Sequence, residues 1–292
     1  MNEKIKIPNN VTYISAFLTM RCNLSCSFCL NEYSHEFNRT KFKELTGEEW
    51  VEHLNKIESP KTPITFSGGE PFMHKDLIYI INNLNPNLKI DLLTNLRWGK
   101  KGLEKFISEV NPNRLKRDAP YASIRVSYHP EQMNGLDLAK DVRKMLDANF
   151  SIGIWSVLYP SPDQLSSINQ MQFICRDYGI DFRLKEFTGI YKNELYGDYS
   201  KYPGACFSEE LKQCECKTSE LLIGTDGNLY RCHRDAFSEE NPIGHISKLE
   251  ESVFNKYRHC SNYGDCHPCD VKVKTNYKQE LGHTSVDIKN IR

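Results

Sequence analysis

The sequence predicts an α/β chain in which a parallel sheet, its strands joined by crossover helices, is followed by a smaller cysteine-rich segment. Three observations carry this. Apolar strand-like runs alternate about six times with runs of helical period between residues 13 and 186. Parallel neighbours need a long return connection, which intervening helices supply. After Gly189 the alternation stops, and seven of the eleven cysteines fall between Cys206 and Cys269.

Taken in order, Tyr13 to Leu18 is the first strand. Thr46-Gly47-Glu48-Glu49 has the form of a capping box, and Trp50, Leu54 and Ile57 follow at helical spacing, which predicts a helix over 47–57. Pro63 to Ser67 is the second strand, ended by Gly68-Gly69, and Leu77, Ile78, Ile81 and Leu84 mark the second helix. Leu88 to Thr94 is the third strand, with Leu103, Phe106, Ile107 and Val110 giving the third helix. Ser123 to Tyr128 is the fourth strand; Leu138, Val142, Met145 and Leu146 supply the fourth helix. Phe150 to Leu158, Leu165 to Tyr178 and Ile180 to Glu186 complete the series as strand, helix and strand. Cys175 shares a helix face with Ile168, Met171 and Tyr178 and is expected to pack in the core. Arg114, Lys116 and Arg117 read as a solvated basic loop, with contact to an acidic substrate as the alternative.

The alternating region, residues 1–188, forms one domain, and residues 189–292 form a second unit and tail. The second unit has short apolar runs such as Leu221-Leu222-Ile223, so metal binding must supplement its small core. Lys plus Arg equals Asp plus Glu at 38 each, which gives no push toward nucleic acid or an anionic membrane. No run approaches the ~18 apolar residues of a membrane span, and residues 1–10 lack an apolar signal region. A cytoplasmic protein is expected, in which cysteines serve as metal ligands more readily than as disulfides.

The central motif is Cys22-x3-Cys26-x2-Cys29, with Phe28 directly before the last cysteine. A structural zinc takes four protein ligands, as do conventional iron–sulfur sites, and the fourth local ligand is absent here. About forty residues later comes Gly68-Gly69-Glu70-Pro71, where glycines let the backbone approach a ligand closely and leave peptide groups to bond it.

At these two motifs the chain resembles the radical S-adenosylmethionine (SAM) superfamily. The resemblance implies a partial (β/α)6 TIM-like barrel whose active site lies at the carboxyl ends of the strands, with a small auxiliary-cluster domain behind it. It implies a 4Fe-4S cluster on Cys22, Cys26 and Cys29, with SAM on the open iron and its amino group received by Gly68 to Pro71. One electron, from a flavodoxin- or ferredoxin-type donor, would cleave SAM to a 5′-deoxyadenosyl radical that takes hydrogen from an unactivated carbon. Asn95 and Ser127, at the ends of strands three and four, resemble positions that hold SAM's carboxylate or ribose; a turn or cap role is the plain alternative. Lys185 and Glu186 close strand six, as an acid or base facing substrate or as an exposed ion pair.

In the second unit the order Cys216-x10-Gly227-x4-Cys232, then Asn241-Pro242-Ile243-Gly244-His245-Ile246, then Cys266-His267-Pro268-Cys269, resembles the auxiliary-cluster module called SPASM, or twitch when shortened. No cysteine follows Cys269, which favours twitch, with one 4Fe-4S cluster on Cys216, Cys232, Cys266 and Cys269. Cys206, Cys214 and Cys260 remain for a second cluster, for exchange with one of those four, or for a hydrogen-donor thiol. Cys266 and Cys269 also have the spacing of a redox pair, but such pairs open a helix in a βαβ unit.

The implied reaction is oxidation or epimerisation of a small polar metabolite. The competing readings are a peptide-modifying enzyme of the same superfamily and a non-enzymatic zinc or iron–sulfur protein that senses or binds a partner.

Overall fold

The computed structural model describes residues 4–29, 43–59, 61–187, 189–197, 202, 204, 208–265, 271–272, 283–284 and 286–292. Its centre is a nine-stranded sheet. Six strands lie side by side in chain order: β1 (Tyr13–Thr19), β2 (Ile64–Gly68), β3 (Ile90–Thr94), β4 (Ile124–Tyr128), β5 (Ile152–Leu158) and β6 (Phe182–Glu186). Every neighbouring pair among them is parallel. The returns run through α1 (Gly47–Leu54), α2 (Leu77–Asn83), α3 (Gly99–Glu109), α4 (Gly135–Asp147) and α5 (Pro162–Asp177). The result is the open six-strand α/β arc that the alternation implied.

Side-chain alternation gives the arc two different faces. One set, including Ile14, Phe66, Leu92, Val126 and Ile154, is essentially sealed from solvent against Trp50, Ile80, Phe106 and Met145 of the helices. Full burial of each such side chain is worth roughly 1.5–3 kcal/mol. The alternate set, with Tyr13, Ser15, Thr65, Asp91 and Arg125, is also buried but largely polar. Cys175 lies in the core cluster with Met171, with Tyr178 packed against it, and burial pushes its thiol up to about 12.

Local signals explain the helix starts. Thr46 and Glu49 form the reciprocal capping box, and Asn134 and Ser161 cap α4 and α5. The first helix ends at Leu54 rather than at 57, because Ile57–Glu58 pairs instead as a short parallel strand with Ile5–Lys6. The basic loop is not solvated as the sequence suggested. Arg114 donates to the carbonyls of Ile81, Leu84, Asn85 and Pro86, satisfying the carboxyl end of α2. The Arg117 side chain is buried and makes two 2.8 Å hydrogen bonds to Asp91.

Beyond β6 the chain adds β7 (Lys212–Thr218), β8 (Glu220–Ile223), β9 (Asn228–Tyr230), α6 (His233–Ser238), β10 (Gly244–His245), β11 (Arg258–Tyr263) and β12 (Val286–Lys289). The short apolar run Leu221-Leu222-Ile223 is β8, which pairs in parallel with β1 on the edge away from β2, Glu220 opposite Tyr13. β9 and β10 extend that edge antiparallel. Residues from both sides of position 188 therefore share one sheet. β11, β7 and β12 form a separate three-stranded antiparallel sheet.

Candidate active site

The cysteine loop leaves the carboxyl end of β1 and is fastened to the end of β2 through the backbone. Gly69 N–H donates to Thr19 O and Glu70 N–H to Arg21 O, both at 2.8 Å. A Cβ on Gly69 would lie 2.1 Å from Arg21 O, and one on Gly68, which sits at φ +125°, would lie 2.2 Å from Thr19 O. These glycines thus first serve close approach of the cysteine loop, and two of their turn's N–H groups are spent on it.

Glu70 is buried beneath this junction. Its carboxylate accepts hydrogen bonds from Asn95 N–H (2.7 Å), the Thr94 hydroxyl (2.7 Å), the Trp98 indole (3.1 Å) and Phe72 N–H (3.1 Å). Burial raises its pKa above the usual carboxylate value, and the four donors pull the other way. The Asn95 side chain lies 2.8 Å from Asn23 Oδ1 and 3.9 Å from Cys22 Sγ. Leu24 N–H also points at Cys22 Sγ, at 3.5 Å.

A cavity of about 340 Å³ opens at the carboxyl ends of the strands. Cys22, Cys26, Cys29 and Phe28 line it, together with Gly68, Gly69 and Glu70, and so do Asn95, Ser127 and Lys185. Two residues singled out in the sequence stand apart. Pro71 opens a short 3-10 turn behind Glu70. Glu186 is exposed and pairs with Leu158, whereas its neighbour Lys185 pairs with Val157 on the cavity face.

Among the lining residues that sequence reasoning missed, four carry titratable groups. Arg125 interrupts the apolar run of β4, an inward-facing charge that the alternation Ile124-Arg125-Val126 could have flagged. Tyr13 opens β1, and burial pushes its phenol up to about 12. His129 follows β4; its ring centre is 5.5 Å from that of Phe28, its Nδ1 is buried with no hydrogen-bond partner, and burial drives its pKa down to about 4. His233 enters from α6 with Nδ1 3.3 Å from Glu220 Oε2, a contact no local signal announces.

A second thiol group lies on the three-stranded sheet. The β7–β11 register sets Cys214 opposite Cys260, and Cys216 shares the Cys214 face. The three sulfurs lie within 4.8 Å of one another. Asn262 N–H reaches Cys260 Sγ at 3.4 Å. Hydrogen bonds with Cys214 and Cys216 lower the Cys260 thiol, and hydrogen bonds with Cys214 and Cys260 raise Cys216. Cys232 packs in the same buried cluster. Of the four ligands expected for an auxiliary cluster, Cys216 and Cys232 are thus in this region, joined by Cys214 and Cys260, while Cys266, Cys269 and Cys206 lie outside the described residues. None of the described cysteines forms a disulfide.

Both places suit soft-ligand metal chemistry: sulfur donors, low exposure, and N–H groups aimed at sulfur, which is how proteins tune iron–sulfur centres. A thiol-lined cavity on the carboxyl rim of an open α/β sheet is an arrangement that could hold a cysteine-bound cluster. Residues 17–120 match the model of the Radical SAM superfamily, so the chain carries a radical SAM domain. The superfamily implies a 4Fe-4S cluster and SAM, which the donors present fit.

The chain is 24% identical over 242 residues to GTP 3′,8-cyclase of Clostridium perfringens, covering 80% of this chain and 70% of the relative. It is 27% identical over 144 residues to GTP 3′,8-cyclase of Brucella ovis, covering 47% of this chain and 39% of that protein's length. Among solved structures it is similar to anSMEcpe with bound AdoMet, at 13% identity and a TM-score of 0.52 over 84% of this chain and 77% of the other. That likeness shows the fold. No helix among the described residues is long and apolar enough to cross a membrane.

Proposed function

We propose that this radical SAM enzyme removes hydrogen from an unactivated C–H bond of a small polar metabolite, in an oxidation or epimerisation assisted by an auxiliary 4Fe-4S cluster. The observation that carries the reading is the meeting of Cys22, Cys26 and Cys29 with Gly68, Gly69 and Glu70 on one rim cavity. A bound cluster with SAM supplies homolytic cleavage at the sulfonium and the hydrogen abstraction that follows.

The chain's own residues have definable tasks. Cys22, Cys26 and Cys29 hold the cluster, and Phe28 covers it from the cavity side. The loop of Gly68 to Pro71, with Asn95 and Ser127, receives the polar groups of SAM. Lys185 faces the substrate end of the cavity as a charged or proton-donating group. Phe28, Tyr159 and Phe187 form a continuous aromatic contact that keeps water from that side. Cys214, Cys216 and Cys260 hold the auxiliary cluster with Cys232 and the cysteines near 266. A flavodoxin- or ferredoxin-type protein delivers the electron.

The polar inner face of the arc supports a polar small molecule, and GTP is the first compound to try because both relatives carry it in their names. The test is anaerobic reconstitution followed by addition of reductant and SAM. The expected result is a brown protein that releases 5′-deoxyadenosine, with release abolished in Cys26→Ala. A colourless zinc protein that binds no SAM would reject the reading.

A further inference from the structure

A buried guanidinium stands beside the second thiol group. Arg231 follows β9, directly precedes Cys232, and is 4% exposed. Its Nη1 donates to the His259 carbonyl at 2.7 Å and its Nη2 to Asp235 Oδ2 at 2.8 Å. His259 lies on β11 next to Cys260 and stands opposite Glu215, between Cys214 and Cys216. The guanidinium therefore joins the Cys232 turn and α6 to the strand that carries Cys260. Burial alone would lower its pKa, but Cys216, Asp235, Cys232 and Cys260 act the other way and raise it, so the side chain keeps its charge beside these thiols.

Two of the three Arg231 nitrogens are thus bonded. The third, Nε, is sealed from solvent with no hydrogen-bond partner, and an unmet buried donor is costly. Sulfur of a centre held by Cys214, Cys216, Cys232 and Cys260 is an acceptor of the right kind in the right place. We propose that Arg231 sets the reduction potential of the auxiliary cluster, giving Nε–H to one of its sulfurs and favouring the reduced state. That state carries one more negative charge, so a nearby cation and N–H donor raise the potential. Asp235 tempers the effect, since its buried carboxylate takes Arg231 Nη2 on one oxygen and lies 3.6 Å from Arg234 on the other. The inference rests on reading the four cysteines as ligands of an auxiliary cluster.

Redox titration of the anaerobically reconstituted full chain, followed by electron paramagnetic resonance, reads the rim and auxiliary centres in one sample. Arg231→Met should lower the auxiliary potential by about 59 mV or more, a tenfold change in the one-electron equilibrium, and leave the rim potential unchanged. Arg231→Lys, which keeps the charge but has no Nε, should lower it by less. Asp235→Asn releases the guanidinium from its carboxylate and should move the auxiliary potential upward. A merely fastening role predicts no such opposition, because losing either partner breaks the same bond between α6 and β11. An auxiliary potential unchanged in Arg231→Met, or moved in the same direction by Arg231→Met and Asp235→Asn, overturns the proposal. If Arg231→Met fails to fold or to load the second centre, Arg231→Lys and Asp235→Asn decide by the same signs. A wild type that holds about four irons and shows a rim signal alone removes the auxiliary-cluster reading and the proposal with it. A second signal indifferent to Arg231 removes the proposal alone.

Discussion

Asn95 donates its backbone N–H to the Glu70 carboxylate at 2.7 Å while its side chain reaches Asn23 at 2.8 Å and Cys22 Sγ at 3.9 Å. One residue at the end of β3 thus ties the buried carboxylate after β2 to the cysteine loop after β1. The rim is a single bonded unit rather than three independent strand ends.

Glu70→Ala removes the shared acceptor and leaves four donors facing a buried void. Hydrogen bonds to charged groups are worth about 1.5–3 kcal/mol each, and orphaned donors cost about as much again, so a loss of about 3 kcal/mol or more is expected. Glu70→Gln keeps one good acceptor and should lose less. Urea unfolding of the cluster-free chain measures both, and a Glu70→Ala change below about 0.5 kcal/mol would show that the carboxylate is not the tie described.

Gly69→Ala places a methyl 2.1 Å from Arg21 O, a distance real Cβ atoms do not occupy, and the obstacle is backbone rather than a flexible side chain. The cysteine loop must lift off β2. The expected outcome is a chain that keeps the far-ultraviolet circular dichroism of the barrel but reconstitutes with about four fewer irons. Full iron loading in Gly69→Ala would mean that the loop reaches its cluster geometry without this junction.

Cys214 and Cys260 face each other across the β7–β11 pair, and Cys216 stands beside them. If these thiols hold an auxiliary cluster, Cys260→Ala should lose iron from that centre alone, and Cys26→Ala should lose it from the rim alone. Iron counting and electron paramagnetic resonance of the two reduced variants should therefore show complementary signals. Identical iron content in Cys260→Ala and wild type would remove the second centre.

The alternation of β and α was legible because each of the first five barrel strands carries two or more buried apolar residues, and β6, which carries none, continues the period. The rim cysteines and Gly68-Gly69 were legible because their spacing is local. What escaped was set by distance along the chain. β8 is four residues long and its partner β1 lies about two hundred residues earlier, so no window of sequence contains the pair. Arg117 looked solvated because its partner, Asp91, sits on another strand. Lys185 and Glu186 both end β6, but successive residues of a strand face opposite ways, so Lys185 lines the cavity and Glu186 does not. Cys214 and Cys260 could only be joined through the β7–β11 register.

His129 offers a pH test of the cavity wall. Burial lowers its pKa to about 4 from the ordinary 6.5, so the folded chain keeps the ring neutral where the unfolded chain has already charged it. Unfolded molecules then bind the extra proton, and stability must fall as pH drops from about 6.5 toward about 4, by at most about 3 kcal/mol. Glu239 acts oppositely: burial raises it to about 7, so its contribution is full below the ordinary carboxylate value and lost as pH rises through 7. The two slopes overlap in the wild type, so the informative quantity is the difference between wild type and His129→Phe. Urea midpoints at pH 7 and pH 4.5 should fall further in the wild type than in His129→Phe, which keeps the ring's contact with Phe28 but cannot charge. Parallel losses in the two proteins would place the His129 ring in water rather than in the wall.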